Sequence, residues 1–66
     1  MKLRDISDLL FHENFKRVIV ADGPDQTTFD SGQSYALSLY YDKNREREVK
    51  GVITNYSESF IAVELL

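Results

Sequence analysis

The absence of cysteine is the feature that most constrains this chain, because a domain of 66 residues has little room for a hydrophobic core. Domains of this size commonly depend on disulfides, a bound metal or a partner chain for stability. Without cysteine, a disulfide framework, a thiol nucleophile and a thiolate zinc site are all excluded. We therefore expect either a marginally stable monomer or a homodimer.

Composition predicts one globular domain over residues 1–66. Hydrophobic residues make up 42% of the chain and charged residues 29%, which are ordinary values and argue against disorder. The longest apolar runs, such as Val18–Ala21, are far shorter than the roughly 20 residues of a membrane helix. The Met-Lys-Leu-Arg start lacks the apolar segment of a signal peptide, so we expect a cytoplasmic protein without membrane contact.

The first apolar residues recur at the spacing of an amphipathic helix. They are Leu3, Ile6, Leu9 and Leu10. This pattern predicts a helix over residues 2–12. Asn14 favours the left-handed conformation that commonly ends a helix.

A β-hairpin is predicted next. The run Arg17–Ala21 is β-branched and continuous, which is typical of a buried central strand over about residues 16–22. The segment Asp22–Asp25 contains Gly and Pro between two aspartates, and this composition indicates a chain reversal. Residues 26–30 then form a short return strand.

Residues 33–42 fit two periodicities. Tyr35, Leu37, Leu39 and Tyr41 alternate as in a strand. Leu37, Tyr40 and Tyr41 are also spaced as in a helix. Because alanine and leucine are good helix formers, the balance favours a helix slightly.

Two further strands are predicted over residues 48–54 and 59–65, joined by a polar connection of hairpin length. Gly51 within the first of them indicates a bulge or a close backbone contact. In the last strand, side chains alternate between two faces of the sheet. Ile61, Val63 and Leu65 share one face, and Phe60, Ala62 and Glu64 share the other.

Together these elements predict an α+β domain. Its N-terminal helix packs on a small, mostly antiparallel sheet of three to five strands, with a possible second short helix at about residues 34–42. A single helix covers only one face of such a sheet. The other face must then meet water, the second helix or a partner.

Several segments resemble small proteins of unassigned role that phages and prophages of Gram-positive bacteria encode. The matching segments are LRDISDLL at 3–10, RVIVADG at 17–23, REVKGVI at 47–53 and FIAVEL at 60–65. They cover about half of the chain, and residues 31–46 depart from the pattern. The resemblance implies an accessory phage protein and carries no catalytic residue across.

No constellation of side chains predicts catalysis, so we expect no enzyme, no cofactor and no metal. His12 is the only histidine and is best explained as a cation at a helix end. Asp22, Asp25 and Asp30 lie around a turn but do not match the ligand spacing of an EF-hand. The scattered glycines form no phosphate-binding loop.

The densest candidate for binding is the segment Tyr35–Arg47. Tyrosines are enriched at protein interfaces, and arginines join them there. The candidate binding residues are Tyr35, Tyr40, Tyr41, Arg45 and Arg47. The competing interpretation is that the tyrosines simply cover the second face of the sheet. We therefore expect a non-catalytic protein-interaction module, which binds a protein or its own copy through the sheet face and this segment.

The alternative function is a small nucleic-acid-associated factor that uses the basic segment 43–50. Its basic residues are Lys43, Arg45, Arg47 and Lys50. Basic side chains beside aromatic rings can hold single strands by stacking. Interleaved acidic residues and the net charge of −3 oppose this, so nucleic acid is the less favoured partner.

Overall fold

One four-stranded mixed sheet organises the protein, in a computed structural model that describes residues 1–66. The architecture is α+β, which confirms the predicted class. In chain order the elements are a 3-10 turn (Leu3–Ile6), α1 (Ser7–Phe11), β1 (Arg17–Asp22), β2 (Asp25–Asp30), α2 (Ser34–Asn44), β3 (Val49–Asn55) and β4 (Phe60–Leu65). None of the helices combines the length and the apolar character that crossing a bilayer requires.

The N-terminal helix is shorter than predicted and begins as a 3-10 turn. Its first N–H groups donate to carbonyls of the α2–β3 connection, Leu3 to Arg47 at 2.9 Å and Arg4 to Arg45 at 3.0 Å. A 3-10 turn aligns residues three apart, so Leu3 and Ile6 are both buried. After α1, Asn14 adopts a φ of 56°, which confirms its predicted left-handed conformation.

The predicted first hairpin is confirmed. β1 and β2 pair antiparallel, with Asp22 opposite Asp25 at the closed end. Gly23 has a φ of 60°, and Pro24 necessarily has a negative φ. A positive φ at the first central residue only is the pattern of a type II′ turn, whose twist matches that of the strands.

The ambiguous segment at 34–42 is helical. α2 buries Leu37 and half-buries Tyr40 and Tyr41, which is the face that the helical spacing predicted. Leu39, which a strand would have placed beside Leu37, is 48% exposed. Residues 34–44 therefore follow the helical periodicity, because the side of α2 that carries Leu37 packs on the sheet.

The strand order is β2-β1-β4-β3, and two of the three pairings are antiparallel. The central pair, β1 and β4, is parallel. Parallel neighbours cannot be joined by a tight turn, so the chain must cross over between them. The segment between them contains β2, α2 and β3, and the parallel central pair makes the sheet mixed.

The second hairpin is tied to the start of β1. Its connection ends at Ser59, which has a φ of 57°. The Ser59 carbonyl accepts hydrogen bonds from the N–H groups of Lys16 and Arg17, at 2.9 and 3.2 Å. The left-handed residue therefore turns the chain into β4 and also fixes where the central pair begins.

β3 carries a bulge near its start. The register with β4 shifts between Val49 and Gly51, which leaves Lys50 as the extra residue. This confirms the irregularity that Gly51 predicted. A bulge bends its strand and redirects side chains locally, so it changes where Lys50 points.

Both helices cover the same face of the sheet. The twelve buried residues form one cluster that joins the helices to β1, β2, β3 and β4. They are Leu3, Ile6, Leu10, Phe15, Val18, Val20, Phe29, Leu37, Val49, Ile61, Val63 and Leu65. The second helix therefore does not cover the far face, and that face has no layer over it.

Candidate functional site

The uncovered side of the sheet, which we call the open face, is the most distinctive surface of the protein. Successive residues of a strand alternate between the two faces, so every second residue of each strand lies here, in register with its neighbours on the adjacent strands. Its residues are Arg17, Ile19, Ala21, Gln26, Thr28, Asp30, Gly51, Ile53, Asn55, Phe60, Ala62 and Glu64, with Lys50 beside them at the bulge.

The centre of the open face is apolar. Ile19, Ala62 and Ile53 are register neighbours on three adjacent strands. Ile53 is 66% exposed, which is unusual for an isoleucine in a sheet. The small residues Ala21 and Gly51 lie next to this row and leave a shallow depression of about 360 Å³. The face therefore offers an apolar hollow with no side chain of the protein to fill it.

The charges of the open face lie at two diagonally opposite corners. At one corner, Arg17 Nε is 3.8 Å from Asp30 Oδ1. At the other, Lys50 Nζ is 3.9 Å from Glu64 Oε1. All four side chains are more than half exposed, so these pairs contribute little to stability. Two positive and two negative groups make the face neutral.

The tyrosines of α2 are separated by the helix. Tyr40 packs on Phe29, with ring centroids 5.6 Å apart, and Tyr41 meets Phe11 edge to face at 5.3 Å. Burial, together with the charge of nearby Asp22, raises the pKa of Tyr40. These two rings therefore extend the core on the face that α1 also covers. The competing interpretation, in which the tyrosines cover the second face of the sheet, is wrong.

Tyr35 lies on the outer side of α2 and is 76% exposed. Arg45 follows the helix, and its guanidinium lies 5.9 Å from the ring centroid of Tyr41, within reach of a cation–π interaction. These two candidate binding residues are accessible, and both lie on the helical side of the molecule. They do not form one surface with the open face.

Arg47 has a structural partner. Its guanidinium donates two hydrogen bonds to the carboxylate of Asp22, at 2.6 and 2.8 Å. The paired geometry is the strong form of an arginine–carboxylate contact. These hydrogen bonds lower the pKa of Asp22 and raise the pKa of Arg47. Arg47 therefore links the chain before β3 to the end of β1.

The basic segment 43–50 is largely matched by carboxylates. Besides Arg47, Arg45 Nε is 3.9 Å from Glu46 Oε2, and Lys50 pairs with Glu64. The segment runs from the end of α2 into β3, so its side chains are distributed over two elements. The positive electrostatic potential that a nucleic-acid backbone would meet is therefore weakened by the carboxylates and spread over two elements.

Glu46 joins the N-terminal segment to the α2–β3 connection. Lys2 Nζ donates to Glu46 Oε1 at 3.3 Å, and Arg4 Nη1 donates to Oε2 at 3.0 Å. The hydrogen bond from Lys2 is the largest cause of the lowered pKa of Glu46, and the charge of Arg4 adds to it. This cluster fastens the first turn to the rest of the domain.

The remaining candidates for chemistry lie apart from one another. His12 is at the end of α1, with Nε2 3.8 Å from Asp8 Oδ1, and both side chains are exposed. Of the three turn aspartates, Asp22 binds Arg47 and Asp30 lies beside Arg17. No group of three or more histidine or acidic side chains is arranged to hold a metal ion.

A second depression, of about 170 Å³, lies between the two helices and the end of β2. Leu10, Phe15, Phe29 and Leu37 form its floor, and all four belong to the core. Ser31 and Ser34 are at its mouth. It is a gap in the helical layer over core side chains.

Comparison with family models, with curated proteins and with solved structures found no significant match. The open face is thus defined by geometry alone. The sequence analysis predicted binding through a sheet face but named none of its residues, because the continuous apolar run Arg17–Ala21 does not show which side of its strand is covered. The signal that could have found it was the alternation predicted for the last strand, which assigns Ala62 to the face opposite Ile61.

Proposed function

We propose that the protein is a non-catalytic protein-binding module and that its contact surface is the open face. The observation that carries this proposal is the apolar row Ile19–Ala62–Ile53, at the centre of a sheet face with no covering layer. Ile53 is exposed, and Ile19 and Ala62 are half-buried. A sheet ordinarily buries an apolar face against another element. A contiguous apolar patch rimmed by charges is the usual form of a protein interaction site.

The rigidity of the sheet supports this role. The open face is built on strands whose other side is the core, so the backbone positions of its residues are fixed relative to one another. A preorganised surface loses little conformational entropy when a partner binds. Ile53, on the edge strand, projects furthest into solvent among these apolar residues and is the natural anchor.

The resemblance to phage and prophage proteins supports an accessory role for the module in the cytoplasm. The genes beside its own provide an inexpensive check of that assignment. Tyr35 and Arg45 stay candidates for a second contact on the helical side. The alternative function, nucleic-acid binding through residues 43–50, predicts a gel shift at low salt that weakens as salt rises.

Site-specific photo-crosslinking tests the proposed function. A photoreactive amino acid at Ile53 is expected to give protein adducts in extracts of the producing cell, including adducts with the chain itself. The matched control is the same group at Leu39, an exposed aliphatic residue on α2 in the opposite layer. Adducts from neither position, or equal yields from both, would contradict an interface at the open face.

A further inference from the structure

We propose that Asp22 is a latent site of isoaspartate formation and that the guanidinium of Arg47 keeps it unreactive in the folded protein. The site lies at the closed end of the first hairpin, on the helical side of the sheet, so it is independent of the role proposed for the open face. Three features point to it: the residue that follows Asp22, the free nitrogen of Gly23, and two hydrogen bonds from Arg47.

Asp22 differs from every other aspartate of the chain in the residue that follows it. It is the only aspartate that precedes a glycine, and no asparagine precedes one. In an Asp–Gly pair, the glycine nitrogen can attack the side-chain carboxyl carbon of the aspartate, because glycine has no side chain to hinder the approach. Each of the other aspartates precedes a residue that carries a side chain. The sequence therefore singles out one position for this chemistry.

The reaction has two steps and needs no reagent other than water. In the first, the Gly23 nitrogen bonds to Cγ of Asp22, and its proton leaves with the hydroxyl of the neutral carboxyl group as water, which gives a cyclic imide. In the second, water adds to one carbonyl carbon of the imide and breaks the bond from that carbon to the nitrogen. Opening at Cγ restores aspartate. Opening at the main-chain carbon leaves the chain running through Cβ and Cγ, which is isoaspartate.

The nitrogen of Gly23 is free to react. Gly23 lies between the two strands of the hairpin, is exposed, and donates its N–H to no other group of the protein. Its φ is 60°, and no atom lies within 4 Å of the place that a Cβ would occupy. Neither packing nor main-chain pairing therefore protects the attacking atom.

The carboxyl group of Asp22, in contrast, is restrained at both oxygens. Arg47 Nη1 donates to Oδ2 at 2.6 Å, and Nη2 donates to Oδ1 at 2.8 Å. Ring closure requires one of these oxygens to leave, so at least one charge-assisted hydrogen bond must break first. The hydrogen bonds from Arg47 also lower the pKa of Asp22, which depletes the neutral acid from which water departs. Both effects slow the first step.

No other group near Asp22 can replace Arg47. Asp25 faces Asp22 across the turn and carries the same charge. Tyr40 lies close enough that the charge of Asp22 contributes to its raised pKa, and a neutral phenol does not balance a carboxylate. Asn44 Oδ1 accepts a hydrogen bond from Arg47 Nη1 at 3.4 Å, which helps to orient the guanidinium. Arg47 is therefore the one cation paired with Asp22.

Isoaspartate at this position is incompatible with the present hairpin. It adds one atom to the main chain at the last residue of β1 and shortens the carboxylate side chain by one carbon. A two-residue turn that sets Asp22 opposite Asp25 tolerates no such insertion, and the shortened side chain loses its paired contact with Arg47. The modification thus forms when this contact is open and then prevents the contact from forming again.

Prolonged incubation of the full chain in neutral buffer, with and without guanidinium chloride, tests whether folding protects Asp22. An endoproteinase that cleaves before aspartate but not before isoaspartate, followed by mass spectrometry, measures each position. Loss of cleavage at Asp22 is expected to be at least about tenfold faster in the denatured chain, and cleavage before Asp25 and Asp30 is the internal reference. Equal rates in the two solutions, or no loss in either, would overturn the proposal.

Variants separate the role of Arg47 from the rigidity of the turn. In neutral buffer, Arg47→Gln is expected to raise the rate at Asp22 about tenfold. The matched control is Arg17→Gln, which removes the cation beside Asp30 and should leave the rate at Asp22 unchanged. Arg47→Lys keeps the charge without the paired geometry and should give an intermediate rate.

Circular dichroism reports whether each variant folds. A folded Arg47→Gln that keeps the rate of the parent chain would overturn the protective role of Arg47. If Arg47→Gln does not fold, a folded Arg47→Lys with the parent rate would overturn that role in the same way. Equal acceleration by Arg17→Gln would also overturn it, because the effect would then not depend on the partner of Asp22.

Discussion

The two faces of the sheet use the same strands for opposite purposes. On the core face, Ile61 and Val63 are almost completely buried beneath the helices. On the open face, Ala62 lies between them in sequence and Ile53 beside it is largely exposed. The comparison shows that hydrophobicity alone does not state what a residue is for. Position relative to the helical layer decides whether an isoleucine stabilises the fold or remains accessible to a partner.

The strongest test of this difference between the two faces is to replace one isoleucine on each face with alanine. Ile61→Ala should lower the free energy of unfolding by about 2–5 kcal/mol, because it leaves a cavity in the core. Ile53→Ala should change it by less than about 0.5 kcal/mol, because the Ile53 side chain is 66% exposed. Urea denaturation measures both. Equal losses would mean that the open face also stabilises the monomer.

Introducing a hydroxyl group on each face is expected to give the next largest difference in the free energy of unfolding. Val20→Thr keeps the shape of a buried side chain but buries a polar group, which should cost about 1–3 kcal/mol. Ala62→Ser adds a hydroxyl on the open face, where water can reach it, and should cost less than about 0.5 kcal/mol. Thermal unfolding followed by circular dichroism compares the two, and a reversed order would refute the assignment of faces.

The two hairpin aspartates provide a comparison by pH. Hydrogen bonds from Arg47 hold the pKa of Asp22 below its unfolded value of about 3.9, so protonation favours the unfolded chain. The stabilisation is complete above that value and is lost as pH falls through the lower, folded pKa. Asp22→Asn should flatten the acid decline of the unfolding midpoint.

Asp30→Asn is the control for this measurement, because its carboxylate lies 3.8 Å from an exposed arginine at the open face. We expect the acid decline of that variant to follow the parent chain. Urea midpoints at several pH values between about 2 and 7 bracket the unfolded pKa of aspartate. If Asp30→Asn flattened the decline as much as Asp22→Asn, the two ion pairs would be equivalent.

The smallest expected effect is at Gly51. A Cβ added there meets no atom within 4 Å, and the backbone does not require a positive φ. Gly51→Ala should therefore raise the free energy of unfolding by up to about 1 kcal/mol, since glycine loses more backbone entropy on folding. Denaturant titration measures the shift. A loss of stability instead would show that the bulge depends on glycine.

Local patterns predicted most of the secondary structure. The segment Asp22–Asp25 contains the glycine and proline that favour a turn, and the chain turns there. Asn14 adopts the left-handed conformation that was predicted to end the first helix. The parallel pairing of β1 with β4 could not be predicted, because it joins segments about forty residues apart through a crossover that local propensity does not encode. The 3-10 start arose similarly, from hydrogen bonds between Leu3 and the distant α2–β3 connection.

The candidate site was less predictable than the fold. Ile19 lies in an apolar run with no alternation, so the sequence gives no sign that only one side of its strand is covered. Which face remains open depends on where α2 packs, and both faces were possible before the structure. Tyr40 was predicted as a binding residue because tyrosine serves cores and interfaces equally, and its contact with Phe29 is visible only in three dimensions.

The extra residue at Lys50 has a consequence for how large an assembly this chain can build. A sheet with two unpaired edges can recruit strand after strand and grow into a fibre. The bulge bends one edge out of register, and aspartates stand at both ends of the other. Growth along the sheet is thereby discouraged. One additional residue in β3 and two aspartates in β2 thus make both edges of the sheet poor templates for a further strand.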